Sequence, residues 1–393
     1  MRLLVPRGGR GGSLRRLIRR VVAAAVLVAA LAGCGGSKPH PKPAPTPTAT
    51  PPPERFSVGI TEPNPAFLIG SGNPDFDRWR DVIPSMKPRY YRLVVDWAGI
   101  ASPDGSQLDL AKPQGGCMRE IPPCAGWNGV RAQLQALAKA QKAMPGHLLG
   151  MVVFTGTPAG ITAPAFGCEQ SDTQPRSRPP RGDQLGRYQQ VVRAVLDEAR
   201  RAGANVPYWS PWNEPNHPYF LSPQRARCKP DAETMSPKPY ALIADAMLHV
   251  LDQAPGDQQL VLGETAGLFE RKSTTTTAPE FIRHLPKSLV CRAAVYGEHG
   301  YLSNENPVGR VYRALKSFGC PGGVPPIWIT ETGTKDPAAC HAMRERLDGW
   351  RNDPRVAAAF QYTVREDDRF PTGLVSTDLK RSLPALNAWT ASC

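Results

Sequence analysis

The sequence predicts a closed (β/α)8 barrel, carried behind an export signal and a Pro/Thr-rich tether. Three observations predict it. Short β-like runs alternate with helix-like segments from Phe56 onward, which implies parallel pairing through βαβ units. Eight such runs fall within about 340 residues, a length that suits a barrel with loop insertions. The turn after the first run reads Thr61-Glu62-Pro63-Asn64-Pro65, where an open dinucleotide-binding sheet would place a glycine-rich phosphate loop.

The chain has 393 residues. Residues 1–20 are basic, Val21 to Gly33 is a small apolar stretch, and Cys34 follows. The apolar stretch is too short for a membrane span and reads as a signal peptide over residues 1–33. Residues 35–53, GGSKPHPKPAPTPTATPPP, form an extended spacer. The folded domain is expected over 54–393, as a monomer.

The strand expectations are Phe56–Thr61, Tyr90–Trp97, Leu148–Thr155, Tyr208–Glu214, Gln259–Thr265, Ala293–His299, Ile327–Glu331 and Ala358–Val364. Helical patterns between them include Val130–Ala143, Gln184–Ala202, Pro239–Gln253, Pro307–Phe318 and Ala338–Trp350. In the seventh run Ile327, Ile329 and Glu331 share parity, so the isoleucines are expected inside the barrel with Glu331 at its mouth. Ser210, Trp212 and Glu214 share parity in the fourth.

The formal net charge of +14 suggests a nucleic-acid partner until its distribution is considered. Seven arginines lie in the first twenty residues, and the remainder after residue 33 carries +7. No nucleic-acid motif follows, so no such partner is expected. Apart from Cys34 there are eight cysteines, with no C-x-x-C pair. Export makes disulfides the favoured account over zinc. Sequential pairing is the expectation: 117–124, 168–228, 291–320 and 340–393. Three of the cysteine-bearing loops follow strands and are placed on the functional face.

Two carboxylates end strands. Glu214 closes Tyr208-Trp209-Ser210-Pro211-Trp212-Asn213-Glu214, where Pro215 stops the ladder. Glu331 closes Ile327-Trp328-Ile329-Thr330-Glu331, 117 residues later. Paired carboxylates suit glycosidic cleavage, one giving a proton to the leaving oxygen and the other attacking or stabilising the sugar cation. The acid then needs a raised pKa, for which Trp212 and Pro215 offer apolar surroundings. No Gly-x-Ser-x-Gly or His-Glu-x-x-His motif occurs, which sets serine and zinc hydrolases aside.

Asn213-Glu214-Pro215 on a fourth strand, with a glutamate ending a seventh, resembles the clan A retaining glycoside hydrolases. The resemblance implies Glu214 as acid/base, Glu331 as nucleophile and Asn213 on the sugar 2-hydroxyl. Arg92 in the second strand resembles the clan's arginine near the nucleophile. His299-Gly300-Tyr301 resembles its His-x-Tyr pair, the tyrosine orienting the nucleophile and the histidine touching sugar. The clan's tryptophan ending the eighth strand is absent, and Tyr362 or another aromatic is expected to substitute. Trp97, ending the second strand, is a further candidate for the cleft. Glu264 is read as a supporting or structural acid, and Glu298, next to His299, as facing the helices. Trp127 is a candidate sugar platform or a packing residue.

Leu31-Ala32-Gly33-Cys34 resembles the bacterial lipobox, which implies diacylglycerol on Cys34 and attachment to the outer face of the cell membrane; secretion is the alternative. No metal or organic cofactor is required by this chemistry. The substrate implied is a glycan, β-linked by the resemblance. The rival reading is an inactive carbohydrate-binding protein on the same barrel.

Overall fold

The computed structural model describes residues 56–69, 74–113, 129–144, 148–167, 169, 173–272, 274–301, 305–336, 338–366, 370–391 and 393. The signal peptide, the tether, Cys34, Cys117, Cys124, Trp127 and Cys168 lie outside them, and so do the expected 117–124 and 168–228 bridges.

Eight parallel strands close in sequence order, each hydrogen-bonded to the next and the eighth to the first. They are β1 Ser57–Thr61, β2 Tyr90–Asp96, β3 Leu149–Thr155, β4 Tyr208–Ser210, β5 Gln259–Thr265, β6 Val295–His299, β7 Ile327–Thr332 and β8 Val356–Tyr362. Helices cover the outside, among them Val130–Ala143, Leu185–Ala202, Pro237–Leu251, Val308–Lys316 and Cys340–Asn352.

The helices follow from local chemistry. Leu185–Ala202 buries Tyr188, Val191, Val192, Val195, Leu196 and Ala199 on one face, at helical spacing. It stops at Gly203, whose φ of 73° lets its N–H turn back to the last carbonyls. Pro237 opens the next long helix at a position where its missing N–H costs nothing.

Two cores result. Between sheet and helices lies the large apolar layer, including Ile327, Ile329, Trp209 and Trp212. Inside the barrel, Tyr90, Met151, Val261, Val295, Trp328, Ala358 and Phe360 fill the lower part. The Tyr90 and Trp328 rings lie 4.2 Å apart, and Tyr208 and Trp328 4.7 Å. Phe360 fits because β1 has Gly59 opposite; a Cβ there would lie 2.3 Å from the ring. This floor closes one end and leaves the carboxyl ends of the strands to form the site.

The parity reading of β7 is overturned. Trp328 occupies the interior, while Ile327 and Ile329 face the helices. Glu331 still reaches the mouth because β7 bulges. Ile329 pairs with Glu298 and Glu331 with His299, so Thr330 is one residue extra. A bulge inverts alternation beyond it. In β4 the ladder ends at Ser210, and Trp212 turns into the helix-side core with its indole N–H on the Phe220 carbonyl at 2.7 Å. The shared parity of Ser210, Trp212 and Glu214 is lost with the ladder.

Two disulfides match the expected pairing, Cys291–Cys320 and Cys340–Cys393. Cys228 is also disulfide-bonded. Among the described residues, no helix is long and apolar enough to cross a membrane.

Candidate active site

The strand ends surround a cavity of about 1190 Å3 whose lining includes Asn213, Glu214, His299, Tyr301, Glu331 and Tyr362. Glu214 is carried by the turn after β4. Its N–H donates to the Glu264 carbonyl at 2.9 Å, and the preceding Asn213 N–H to the Phe154 carbonyl at 2.8 Å. The turn is thereby strung between β3 and β5 although the ladder has ended. Glu214 has a φ of 40°, a left-handed conformation that a non-glycine residue adopts at a cost of about 1–3 kcal/mol. Asn216 secures the same turn: its amide side chain bonds the Ala266 N–H and carbonyl and the Thr276 carbonyl.

Glu331 is gripped at both oxygens. Arg92 approaches Oε1 at 2.8 Å and the Tyr301 hydroxyl donates to Oε2 at 2.6 Å. Arg92 is fully buried and also donates to Asn213 Oδ1 at 2.7 Å and to Glu264 Oε2 at 2.5 Å. Because Arg92 takes the Asn213 oxygen, the amide nitrogen is left to donate into the cleft. His299 Nδ1 lies 2.8 Å from Glu214 Oε1 and 3.4 Å from Glu331 Oε2. One atom each of Glu214, His299 and Glu331 can be chosen so that all three lie within 4.8 Å of one another. That grouping can share a proton.

The charges sort themselves by neighbours. Burial disfavours a charged His299, but Glu331, Glu214 and Glu264 outweigh it and hold the imidazole up at about 10. Burial pushes Glu214 upward, and the hydrogen bond and charge of His299 outweigh this to hold it below the usual carboxylate range. The expected raised pKa of Glu214 is therefore corrected: the proton of this pair rests on the histidine. Trp212, turned away, does not supply the apolar surroundings expected of it. Burial likewise raises Glu264, and Arg92 brings it down to about 2.

Of the sugar-site candidates that fall on described residues, Asn213, Glu214, Glu331, Arg92, His299, Tyr301 and Tyr362 meet here and Trp97 does not. Trp97 is fully buried among the helix-side core residues, its ring 5.6 Å from Tyr188, and does not line the cavity. The chain leaves the ladder after Asp96, whose carboxylate accepts the Gly99 N–H and turns the backbone into the helix Trp97–Ile100. The aromatics lining the cleft come from loops that periodicity does not resolve: Tyr219 and Phe220 after β4, and Phe370 after β8 beside Tyr362 and Lys335. The His-Pro-Tyr-Phe run right after the Asn-Glu-Pro-Asn turn was their one available signal.

Solved structures share this architecture. A family 39 glycoside hydrolase from Bacteroides cellulosilyticus superposes with a TM-score of 0.52 at 16% identity, over 85% of this chain and 62% of that one. What the two share is the fold, a closed barrel of eight parallel strands. A family 30 subfamily 8 xylanase from Clostridium acetobutylicum matches at 0.52 and 13% identity, over 85% and 70% of the two chains. A family 5 subfamily 18 protein from Streptomyces cattleya, solved with GlcNAc, matches at 0.53 and 18%, over 86% and 79%. The chain thus spans less than two thirds of the family 39 protein. No family model and no curated protein matches the sequence.

Proposed function

We propose that this protein is a retaining glycosidase that cleaves O-glycosidic, β-linked bonds of a poly- or oligosaccharide by double displacement. One observation carries the reading: an oxygen of Glu214 and one of Glu331 come within 4.8 Å across the mouth of the barrel. That spacing suits direct attack, for which carboxyl groups stand about 5–5.5 Å apart; inversion needs roughly 6.5–9.5 Å to admit a water.

Glu331 is the nucleophile. Arg92 and Tyr301 fix both of its oxygens, so the carboxylate is presented in one orientation to the anomeric carbon. Glu214 delivers the proton to the leaving oxygen, then takes one from the water that releases the glycosyl-enzyme ester. Asn213 donates to the sugar 2-hydroxyl, and Tyr362, Tyr219 and Phe220, which line the same cavity, give apolar faces for sugar rings.

The test is turnover of a panel of aryl β-glycosides and β-glycans, with the anomer of the first product followed by NMR. Retention is expected, with Glu214→Gln losing roughly 10²–10⁴-fold on substrates with poor leaving groups. Binding of glycans without turnover would establish the carbohydrate-binding reading instead, and an inverted product would remove Glu331 as nucleophile.

A further inference from the structure

Glu264 sits where an ordinary strand would not put it. β5 runs in register with β6 up to Gly263 and Gly297, and then Thr265 rather than Glu264 pairs with Glu298. Glu264 is the extra residue of a bulge, with Gly263 at φ 95° and Glu264 at φ 56°. The bulge is built for. The Gly263 N–H is caught by the Tyr240 hydroxyl at 2.7 Å. On β6, Gly297 leaves the room the side chain needs: a Cβ there would lie 2.5 Å from Glu264 Oε1. The result is a fully buried carboxylate aimed at the catalytic centre without touching the cavity.

One of its oxygens faces two basic groups. Oε2 binds Arg92 through Nε at 2.9 Å and Nη2 at 2.5 Å, and lies 3.6 Å from His299 Nε2. His299 therefore has Glu264 at one ring nitrogen and Glu214 and Glu331 at the other. Arg92 from β2 is the remaining charge of the cluster, and Tyr301 is held neutral, burial pushing its hydroxyl up. Glu298, on the histidine's own strand, is also kept neutral by burial. Three carboxyl groups against one guanidinium favour uptake of one proton, and the imidazole is the most basic group beside them.

We propose that Glu264 is a positioning residue that keeps His299 an imidazolium, making the His299–Glu214 pair a store for the catalytic proton. Resting on the reading of Glu214 as acid/base, the step balances as follows. The Nδ1 proton passes to Glu214 Oε1, leaving a neutral imidazole with its Nε2–H toward Glu264. Glu214 gives that proton to the glycosidic oxygen as the bond to the anomeric carbon breaks. In the second half, the proton taken from the attacking water returns through Glu214 to Nδ1.

The deciding measurement is the titration of His299 in protein carrying 15N-labelled histidine, assigned among its seven histidines by comparison with His299→Gln. In the wild type His299 is expected to stay doubly protonated at pH 8. In Glu264→Gln its titration is expected to fall by about one to three units, the reach of a lost neighbouring charge. Gly297→Ala, which crowds the carboxylate without deleting it, shifts the same way. The alkaline limb of kcat follows both. A neutral His299 at pH 7 in the wild type, or a titration unmoved in either folded variant, would overturn the proposal. Because the resonance is read without substrate, absence of glycosidase activity would sink the functional reading alone.

Discussion

Arg92 holds the centre of the site together with one planar group. Its guanidinium binds Glu264 through two nitrogens, Glu331 through a third contact and the Asn213 oxygen besides. A lysine offers a point charge and cannot satisfy those partners at once. Tyr301 completes the grip on Glu331 from the other side. Tyr301→Phe removes a charge-assisted bond worth about 1.5–3 kcal/mol. The hydroxyl does not reach the sugar in this scheme, since it is taken by Glu331. The expected outcome is a loss of roughly 10- to 100-fold in kcat with KM little changed, measured on an aryl glycoside. A rise in KM at constant kcat would mean that Tyr301 binds substrate and leaves Glu331 to Arg92.

At the scale of the element, the loop after β4 is secured to the helix Ala278–Arg283 by a second buried ion pair. Arg225 meets Glu280 at 2.5 Å, and Thr234 donates to the same carboxylate at 2.7 Å. Burial alone would raise the Glu280 carboxyl; the Arg225 and Thr234 hydrogen bonds outweigh it and bring it to about 2. A carboxylate whose folded pKa lies below its unfolded value of about 4.3 contributes stability that is complete above that value. The contribution is lost as pH falls through 4.3 toward 2. Glu280→Gln is expected to cost on the order of 3 kcal/mol at pH 7, and to flatten that part of the acid transition in denaturant titrations. An unchanged acid slope would show that the pair is not felt in stability.

The same scale explains what the sequence disclosed. Element type and order were legible, because parallel strands buried on both faces read as short apolar runs between amphipathic helices. The grouping of Asn213, Glu214, Glu331, His299 and Tyr301 at the strand ends was legible too, from Asn213-Glu214-Pro215, the glutamate ending β7 and His299-Gly300-Tyr301. What alternation missed lies at bulges. Thr330 in β7 and Glu264 in β5 each add one residue, which lets Glu331 reach the mouth although Trp328 is inside and brings Glu264 to Arg92. Nothing in a period-two pattern announces an inserted residue. Trp97 failed for a related reason: Asp96 ends the strand by capping a helix, and the next side chain leaves the cleft.

At the scale of the whole molecule, the last quarter of the barrel is closed by covalent bonds as well as by the ladder. Cys291–Cys320 links the helix Lys287–Arg292, just before β6, to the segment leading into β7, across 29 residues. Cys340–Cys393 ties the chain's last residue to the start of the helix before β8, across 53. The first loop encloses β6, which carries His299 and leads to Tyr301. In the chain-entropy account, removing a cross-link of that span costs about 3.5 kcal/mol through the wider freedom of the unfolded chain. For a domain of about 340 residues this corresponds to a fall in Tm of roughly 5 °C. Cys291→Ser combined with Cys320→Ser is expected to show that fall by calorimetry while keeping kcat near the wild-type value at 25 °C, because the folded contacts around His299 remain. A large loss of kcat in a double variant with an unchanged Tm would reverse the assignment: the bridge would then be holding β6 in its catalytic position rather than limiting the unfolded chain.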